Sequence, residues 1–196
     1  RYMILAPSSG RVYFVAGNAD GPLMRFDPKH PDEGLVDTGL IMGNRASTRE
    51  TSDGMVYSVS KGQGADDAAL WEFNTHAETV KKIGAIGIGG EAYAASVDAG
   101  PHGRYLYYVP GAHGGGYRVG SPVVQYDVRT HTKKVIAFLH PFYEEKYGFI
   151  PKGTYSTALS SSGDKLYVTW NVSRGTRAWD CCAMAVIHIP ESERLP

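Results

Sequence analysis

The feature that most constrains this chain is a short phrase that recurs four times: Gly, a brief gap, an aliphatic residue and Tyr. The copies begin at Gly10, Gly54, Gly103 and Gly163 and end at Tyr13, Tyr57, Tyr107 and Tyr167. Small or polar residues precede each Gly, which predicts a tight turn in which Gly takes a positive φ angle. The β-branched and aromatic residues that follow predict a strand. Because successive repeat tyrosines lie 44, 50 and 60 positions apart, one structural unit repeats through the chain.

Other recurring segments predict three more strands in a unit. A second strand follows each copy of the phrase, at 23–27, 70–74, 123–127 and 185–189. A more polar third strand follows in three units, at 35–37, 79–83 and 133–138, and its lysines suit a solvated edge. A strand of small residues precedes each Gly turn, at 3–6, 47–49, 94–97 and 156–159. The units therefore predict four-stranded sheets with small side chains on the first strand.

This pattern resembles β-propeller repeats of the broad WD40, kelch and bacterial Ser-x-Asp-Gly-x-x-Leu-Tyr kind. The resemblance covers the whole chain and implies an all-β fold: a β-propeller of four four-stranded blades, whose crowded inner strands need small residues. The blades are expected at about 1–40, 41–86, 87–140 and 150–196, with an insertion loop at 139–153. The Gly-His and Trp-Asp marks of true WD40 repeats are absent at the expected places, and Trp179–Asp180 is expected in a loop.

The last unit has no clear fourth strand, because few residues follow Ile189. The chain also begins at Arg1 and shows no signal peptide, which indicates a processed product, a fragment or a piece of a longer polypeptide. An open ring leaves an unpaired edge, so we expect the chain to be the C-terminal half of a seven- or eight-bladed propeller. The other half is expected from the same gene product or from a second subunit. A complete four-bladed ring is the alternative.

Composition excludes several classes of protein. Lys and Arg together number 20, as do Asp and Glu, so the formal net charge is zero and a duplex DNA partner is disfavoured. The longest apolar run, 181–189, is about half of what spans a membrane. No nucleotide-binding, haem or local zinc motif is present, so the sequence assigns no cofactor; metal binding by histidines from separate blades stays open.

Long loops are predicted on one face of the propeller. The connections between each Gly-phrase strand and the next strand emerge there, as do the connections between blades. The long loops are 61–69, 109–121, 171–180 and 139–153. Because functional residues concentrate on long loops of a rigid scaffold, we place the candidate site there. The catalytic candidates are His113, Tyr93 and Tyr155. The ligand-binding candidates are Arg45, Arg49, Glu91, Tyr117, Arg118, Lys152, Arg174, Arg177 and Trp179.

The residue types explain these choices. Arginine and lysine bind carboxylates or phosphates, and tyrosine and tryptophan stack on sugar or aromatic faces. His113 lies among glycines that permit close approach of a ligand, and a neutral imidazole acts as a base or a metal ligand. A tyrosine beside an arginine suits proton abstraction of the lyase type. The alternatives are that these arginines form structural ion pairs, that His113 hydrogen-bonds a carbonyl, and that each tyrosine lines the core or the channel with a satisfied hydroxyl.

Three functions remain open at this point. The first is a periplasmic or secreted propeller that binds an anionic or carbohydrate ligand, either without catalysis or as a polysaccharide lyase or hydrolase. The second is a non-catalytic scaffold for protein interactions. The third is a structural or electron-transfer subunit of a multi-chain complex. The adjacent Cys181 and Cys182 permit either a strained vicinal disulfide or, as slightly favoured, two small buried apolar residues.

Overall fold

The computed structural model describes residues 3–16, 20–61, 68–89, 91, 93–111, 120–154 and 156–195, without the side chains of 178 and 179. These residues form four antiparallel sheets of four strands each. We call the sheets blades 1 to 4 in chain order. The structure therefore has the β-propeller architecture that the repeated phrase predicted.

The first three blades follow one plan, in which strands pair in the order of the chain. Blade 1 contains β1 (Met3–Ala6), β2 (Arg11–Val15), β3 (Gly21–Phe26) and β4 (Leu35–Met42). Blade 2 contains β5 (Ala46–Ser47), β6 (Met55–Val59), β7 (Ala69–Asn74) and β8 (Thr79–Ala85). Blade 3 contains β9 (Ala94–Ala99), β10 (Tyr105–Pro110), β11 (Val123–Asp127) and β12 (Thr132–Ala137). The inner strand of blade 2 is shorter than predicted, because Thr48 and Arg49 lie outside β5.

Blade 4 departs from that plan. It contains β13 (Ile150–Pro151), β14 (Ser156–Leu159), β15 (Lys165–Arg174) and β16 (Arg177–His188). Both β13 and β14 pair with the inner edge of β15, and β16 pairs with its outer edge. Within the described part of this blade, no strand lies outside β16.

Two segments that were predicted as loops have regular structure. The segment 171–180 continues the β15–β16 hairpin around a tight turn, so Trp179–Asp180 lies in a strand and that loop prediction is wrong. The predicted insertion loop contains α1 (His140–Tyr147), which begins with Pro141 in its first turn and ends at Gly148 in the left-handed conformation. None of the helices in the described ranges is long and apolar enough to cross a membrane.

The repeat glycines make the turns between the inner strand of each blade and the strand that contains the repeat phrase. Gly10, Gly54, Gly103 and Gly163 have φ angles of 82°, 78°, 67° and 72°. Glycine reaches this left-handed region without the steric cost that a Cβ atom imposes, so the predicted turn chemistry is confirmed. These four turns mark one end of the blades. The β15–β16 turn and α1 lie at the opposite end, which we call the long-loop end.

Three separate apolar cores join neighbouring blades. One lies between blades 1 and 2, one between blades 2 and 3, and one between blades 3 and 4. Among the described residues, no packing of comparable extent joins blade 1 to blade 4. The ring is open at that point, so the alternative of a complete four-bladed ring is wrong.

The two cysteines are unpaired and lie on opposite faces of β16. Cys181 packs against the core between blades 3 and 4, whereas Cys182 is exposed. The vicinal disulfide is therefore not formed. Because Cys181 is partly buried and Cys182 is exposed, the favoured interpretation as two buried residues is wrong for Cys182 and is met only in part by Cys181.

Candidate functional site

The inner strands of the blades surround a central channel that contains two adjoining cavities. The first has a volume of about 600 Å³ and is lined by residues of all four blades, from Met3 in blade 1 to Ser156 in blade 4. The second, of about 520 Å³, lies nearer the tight Gly turns and is lined by blades 2, 3 and 4. The small side chains that the sequence predicted for the inner strands form part of the wall, with Ala46, Ser47, Ala95, Ser96 and Ser156 lining the first cavity. The cavities are large enough for a sugar or another small molecule.

Arg49 lines both cavities and is exposed. It follows β5 on the channel side of blade 2, and within the described residues it forms no ion pair. The neighbouring Glu50 also lines both cavities and accepts hydrogen bonds from the Ser8 amide at 2.9 Å, the Ser8 hydroxyl at 2.7 Å and the Thr75 hydroxyl. Burial opposes ionisation of Glu50, but the bonds from Thr75 and Ser8 outweigh it and lower the pKa of this carboxyl. Glu50 is thus occupied in holding blades 1 and 2 together, while Arg49 faces the cavities.

A polar cluster joins blades 3 and 4 at the second cavity. The Thr157 hydroxyl donates to Asp98 Oδ2 at 2.5 Å and lies 2.9 Å from Ser96 Oγ. Burial raises the pKa of Asp98, although the bonds from Thr157 and from the Leu159 amide, and the positive charge of Arg49, favour its ionised form. A carboxyl group with a raised pKa in a cavity is a recognised mark of a functional site.

At the long-loop end of the blades, two predicted site residues meet. Arg45 Nε donates a hydrogen bond to the Tyr93 hydroxyl, and the guanidinium carbon lies 4.9 Å from the centre of the Tyr93 ring. Arg45 is buried, so this contact fixes Tyr93 against blade 2. A phenol hydroxyl that accepts one hydrogen bond can still donate its own proton in another.

The other described candidates lie at separate places. Glu91 is buried in a short bridge with Ile88, and burial raises the pKa of its carboxyl. Lys152 donates its amide to Asn171 O at 2.8 Å, beside β13. Neither residue lines the two channel cavities.

Arg174 and Arg177 lie at the tip of the β15–β16 hairpin, where both are exposed. Arg174 Nε donates to Asp180 Oδ2 at 2.6 Å, and Arg177 Nη1 is 3.9 Å from Asp180 Oδ1. The hydrogen bond to Asp180 raises the pKa of Arg174. Their carboxylate partner is in their own hairpin, and neither arginine lines the channel cavities. This arrangement fits the structural alternative better than ligand binding.

The remaining candidates lie outside the described residues. They are His113, Tyr117, Arg118, Tyr155 and the side chain of Trp179. The described ranges contain no group of three His, Cys, Asp or Glu side chains arranged to hold a metal ion.

Sequence reasoning missed Asp98, Ser96 and Thr157. Ser96 and Thr157 belong to inner strands that were noted for small residues alone. Asp98 directly follows the predicted strand 94–97 and lies on the same side of it as Ser96, because side chains alternate along a strand. The sequence signal for this part of the site was the spacing of Ser96 and Asp98, two residues apart on a strand that lines the channel. Their meeting depends on how blades 3 and 4 pack, which the repeat phrase does not encode.

The sequence matches no known family model and no curated protein. The structure is similar to TolB from Acinetobacter baumannii, with a TM-score of 0.59 and 12% identity over 96% of this chain and 41% of that one. It is similar to the tricorn protease, with a TM-score of 0.63 and 10% identity over 100% of this chain and 16% of that one. It is also similar to an oligogalacturonate lyase in complex with manganese, with a TM-score of 0.57 and 10% identity over 97% of this chain and 48% of that one.

At such low identity these similarities indicate a shared fold and give no information on chemistry. The chain spans less than half of the length of each of the three structures. Blades, channel and comparisons agree on one conclusion: the chain is a four-bladed, open segment of a β-propeller.

Proposed function

We propose that this chain binds a small anionic or carbohydrate ligand in its channel, as part of a larger β-propeller. The observation that carries the proposal is Arg49, an exposed guanidinium that lines both cavities and forms no ion pair with the described residues. A guanidinium in a concave site binds a carboxylate through a bidentate fork. The wall around it offers hydroxyl groups and a carboxyl group, which suit the hydroxyl groups of a sugar.

The polar wall also supports an acidic saccharide in particular. Ser47 and Ser96 line both cavities and Asp98 lines the second, so donors and acceptors surround the guanidinium. One of the similar structures is named for an acidic oligosaccharide, oligogalacturonate. That likeness extends to fold alone, so the substrate class is part of the proposal.

We propose further that the chain has lyase or hydrolase activity. Asp98 is the described group best suited to hold a proton, since burial raises its pKa. Tyr93, oriented by Arg45, is the described catalytic candidate at the long-loop end. His113, Tyr155 and the other candidates outside the described residues remain predictions, as does a periplasmic or secreted location, which cell fractionation tests.

We also propose that the chain belongs to a ring of more than four blades. The open gap between blades 1 and 4 and the greater length of the similar structures support seven or eight blades in all. The further blades would come from the same gene product or from a second subunit. We propose as well that the repeat is of the WD40-like or kelch-like kind and that the blades have the limits predicted from the sequence.

Calorimetric titration with trigalacturonate and with maltotriose, its neutral counterpart in size, tests the ligand class. We expect trigalacturonate to bind and Arg49→Ala to weaken it at least tenfold, which corresponds to about 1.4 kcal/mol. Arg49→Lys keeps the charge but loses the fork, so an intermediate loss is expected. Arg129→Ala, a change in an outer turn of blade 3, is the matched control and leaves binding unchanged.

The outcomes separate the candidate functions. Binding of maltotriose alone would replace an anionic ligand by a neutral saccharide. Absence of binding by either saccharide would contradict the proposal and favour a protein-interaction scaffold. If trigalacturonate binds, an unsaturated product identifies a lyase, new reducing ends without unsaturation identify a hydrolase, and an unchanged ligand identifies a binding module.

A further inference from the structure

The repeat tyrosine of each blade faces the next blade, and this gives a rule for how blades pair. Tyr13, Tyr57 and Tyr107 are 0%, 4% and 0% exposed. Tyr13 packs edge-on against Phe73 of blade 2, with ring centres 4.9 Å apart. Tyr57 shares a core with Tyr126 of blade 3. At each of these boundaries the repeat tyrosine enters the core that it shares with the following blade.

The residue that receives the tyrosine has a fixed place in its own blade. Phe73 lies opposite Val56 in the pairing of β6 with β7, and Tyr126 lies opposite Leu106 in the pairing of β10 with β11. In blade 4, Ile187 lies opposite Leu166 and shares a core with Tyr107. The receiving position is therefore on the strand that follows the Gly-phrase strand. It is the residue that pairs with the aliphatic residue of the repeat phrase.

Tyr167, the repeat tyrosine of blade 4, enters none of the apolar cores that the described residues form. Tyr167 is 38% exposed, in contrast to its three counterparts. Val186 is its partner across the β15–β16 pair, and Met184 is two residues away on the same side of the strand; both are exposed. We call this surface of blade 4 the forward face.

The receiving position of blade 1 also lies outside the apolar cores that the described residues form. Phe26 lies opposite Val12 in the pairing of β2 with β3, the place that Phe73 has in blade 2. Both Phe26 and Val12 are partly exposed, whereas Phe73 and Val56 are fully buried. We call this surface of blade 1 the rear face.

Large apolar side chains concentrate on these two faces. The rear face carries Met3, Leu5, Leu35 and Ile41, and the forward face carries Tyr167, Met184 and Val186. Together they are seven of the twelve large apolar side chains that are exposed in the described ranges. Exposed apolar surface of this extent marks an interaction site.

We propose that the forward face of one chain packs on the rear face of a second copy, with Tyr167 against Phe26, and that two copies close one ring in this way. Each chain supplies one forward and one rear face, so a pair of copies satisfies all four. The inference narrows the larger ring proposed above to a second copy of this chain. Pairing of the two copies requires no ligand.

Charge complementarity supports a second copy as the partner. At the boundary between blades 1 and 2, Arg11, two residues before Tyr13, contacts Glu78 in an outer turn of blade 2 at 3.2 Å. Lys165 stands two residues before Tyr167, is exposed on the forward face and lies 3.8 Å from Asp164 Oδ2 of its own chain. The corresponding outer turn of blade 1 carries exposed Asp32 and Glu33, so a second copy presents further acidic groups on the side of Lys165 that faces the boundary.

Native mass measurement of the purified 196-residue chain tests the proposal. We expect a particle of twice the chain mass of 21.3 kDa. Tyr167→Lys and Phe26→Glu each place a charge in the apolar contact and weaken the pair by about 30-fold or more, since central aromatic contacts dominate interfaces. Tyr147→Lys, a change in an exposed aromatic residue of α1, is the control and leaves the mass unchanged.

Mixing the two variants provides a test that loss of folding cannot imitate. In a mixed pair, the new lysine meets the new glutamate at one boundary and the other boundary is native. We therefore expect the double mass to return on mixing, with circular dichroism spectra of both variants unchanged. A wild-type chain of single mass at every concentration, a ladder of higher masses, or a pair that both variants leave intact would overturn the proposal. Calorimetry on the same samples reports ligand binding separately.

Discussion

The Glu78 carboxylate crosses the boundary between blades 1 and 2 and offers the sharpest test of how the blades are held. The Tyr13 hydroxyl donates to Glu78 Oε1 at 2.9 Å, and Arg25 Nη1 lies 2.9 Å from both carboxylate oxygens. Arg11 Nη1 adds a contact at 3.2 Å. Burial opposes ionisation of Glu78, but the bonds from Arg25 and Tyr13 outweigh it and lower the pKa of this carboxyl. The carboxylate is therefore more strongly bound when charged.

We predict that Glu78→Gln lowers the free energy of unfolding by about 2 kcal/mol at pH 7. Glutamine keeps the chain length and the same backbone, including the positive φ angle of 48°, so the change isolates the charge. It retains one acceptor oxygen but presents an amide group to Arg25, and a hydrogen bond to a charged group contributes about 1.5–3 kcal/mol. For a chain of this size the loss corresponds to a fall in Tm of about 4–8 °C.

Urea unfolding of both proteins at pH 7 and pH 3 measures this effect. A lowered pKa in the folded state stabilises the protein above the ordinary glutamate pKa of about 4.3, and that stability is lost as pH falls through the folded-state pKa. The difference between wild type and Glu78→Gln should therefore shrink towards pH 3. Glu145→Gln, on the exposed surface of α1, is the control and should change stability by less than about 0.5 kcal/mol. A similarly small effect of Glu78→Gln at pH 7, or an undiminished difference at pH 3, would refute the reasoning.

Three further changes test other parts of the fold. Tyr126→Phe removes a 2.7 Å hydrogen bond to a blade 2 carbonyl and should cost about 1 kcal/mol in urea unfolding, whereas an unchanged midpoint would show that the bond contributes nothing. Gly163→Ala places a Cβ atom at a positive φ angle and also 2.7 Å from Pro101 Cδ. Gly10→Ala has open space around the new Cβ atom and should lose about 1 kcal/mol of stability through its φ angle alone. The Tm of Gly163→Ala should therefore fall further than that of Gly10→Ala, and equal losses would contradict the steric reasoning. Asp98→Asn should raise Tm at pH 7 and not at pH 3, because burial raises the pKa of this carboxyl and makes its ionised form costly; a loss at pH 7 would show that the charge is stabilising.

The fold followed from the sequence because its signals are local and repeated. A glycine that takes a positive φ angle, followed by an aliphatic residue and Tyr13 or one of its counterparts, specifies a turn and a strand without any distant contact. Four copies of that signal also specify the number of blades. The hairpin 171–180 was predicted as a loop because Gly175 and its polar neighbours resemble one. In the structure Gly175 takes a φ angle of 52° in a tight turn, and strand pairing continues on both sides of it.

The site was less predictable because it depends on packing between blades. Arg45 and Tyr93 were both candidates, but their direct contact follows from how blade 2 meets the segment before β9. Asp98 and Thr157 are 59 residues apart and meet through the packing of β9 against β14. The repeat phrase fixes strands within a blade and contains no information on such contacts. Single residues of the channel wall therefore emerge only from the three-dimensional arrangement.

Ligand binding and ring closure should be coupled, because the channel wall is shared. The first cavity is lined by Met3 of blade 1 and Ser156 of blade 4, the two blades that border the open gap. Closing the ring with a second copy would complete this wall and exclude water, which strengthens contacts to a charged ligand. By linkage, a ligand that prefers the closed ring tightens the pair, and the pair tightens the ligand by the same factor.

Tyr167→Lys tests this coupling, since Tyr167 does not line either channel cavity. We predict that the variant binds trigalacturonate more weakly than the wild type and that mixing it with Phe26→Glu restores part of the affinity. The wild-type affinity should also rise with protein concentration through the range in which the pair forms. Equal affinity of the wild type and Tyr167→Lys at every concentration would show that the half channel is already a complete site. Ring closure would then serve stability alone, because burying the two apolar faces would stabilise the assembly without changing the contacts made by Arg49.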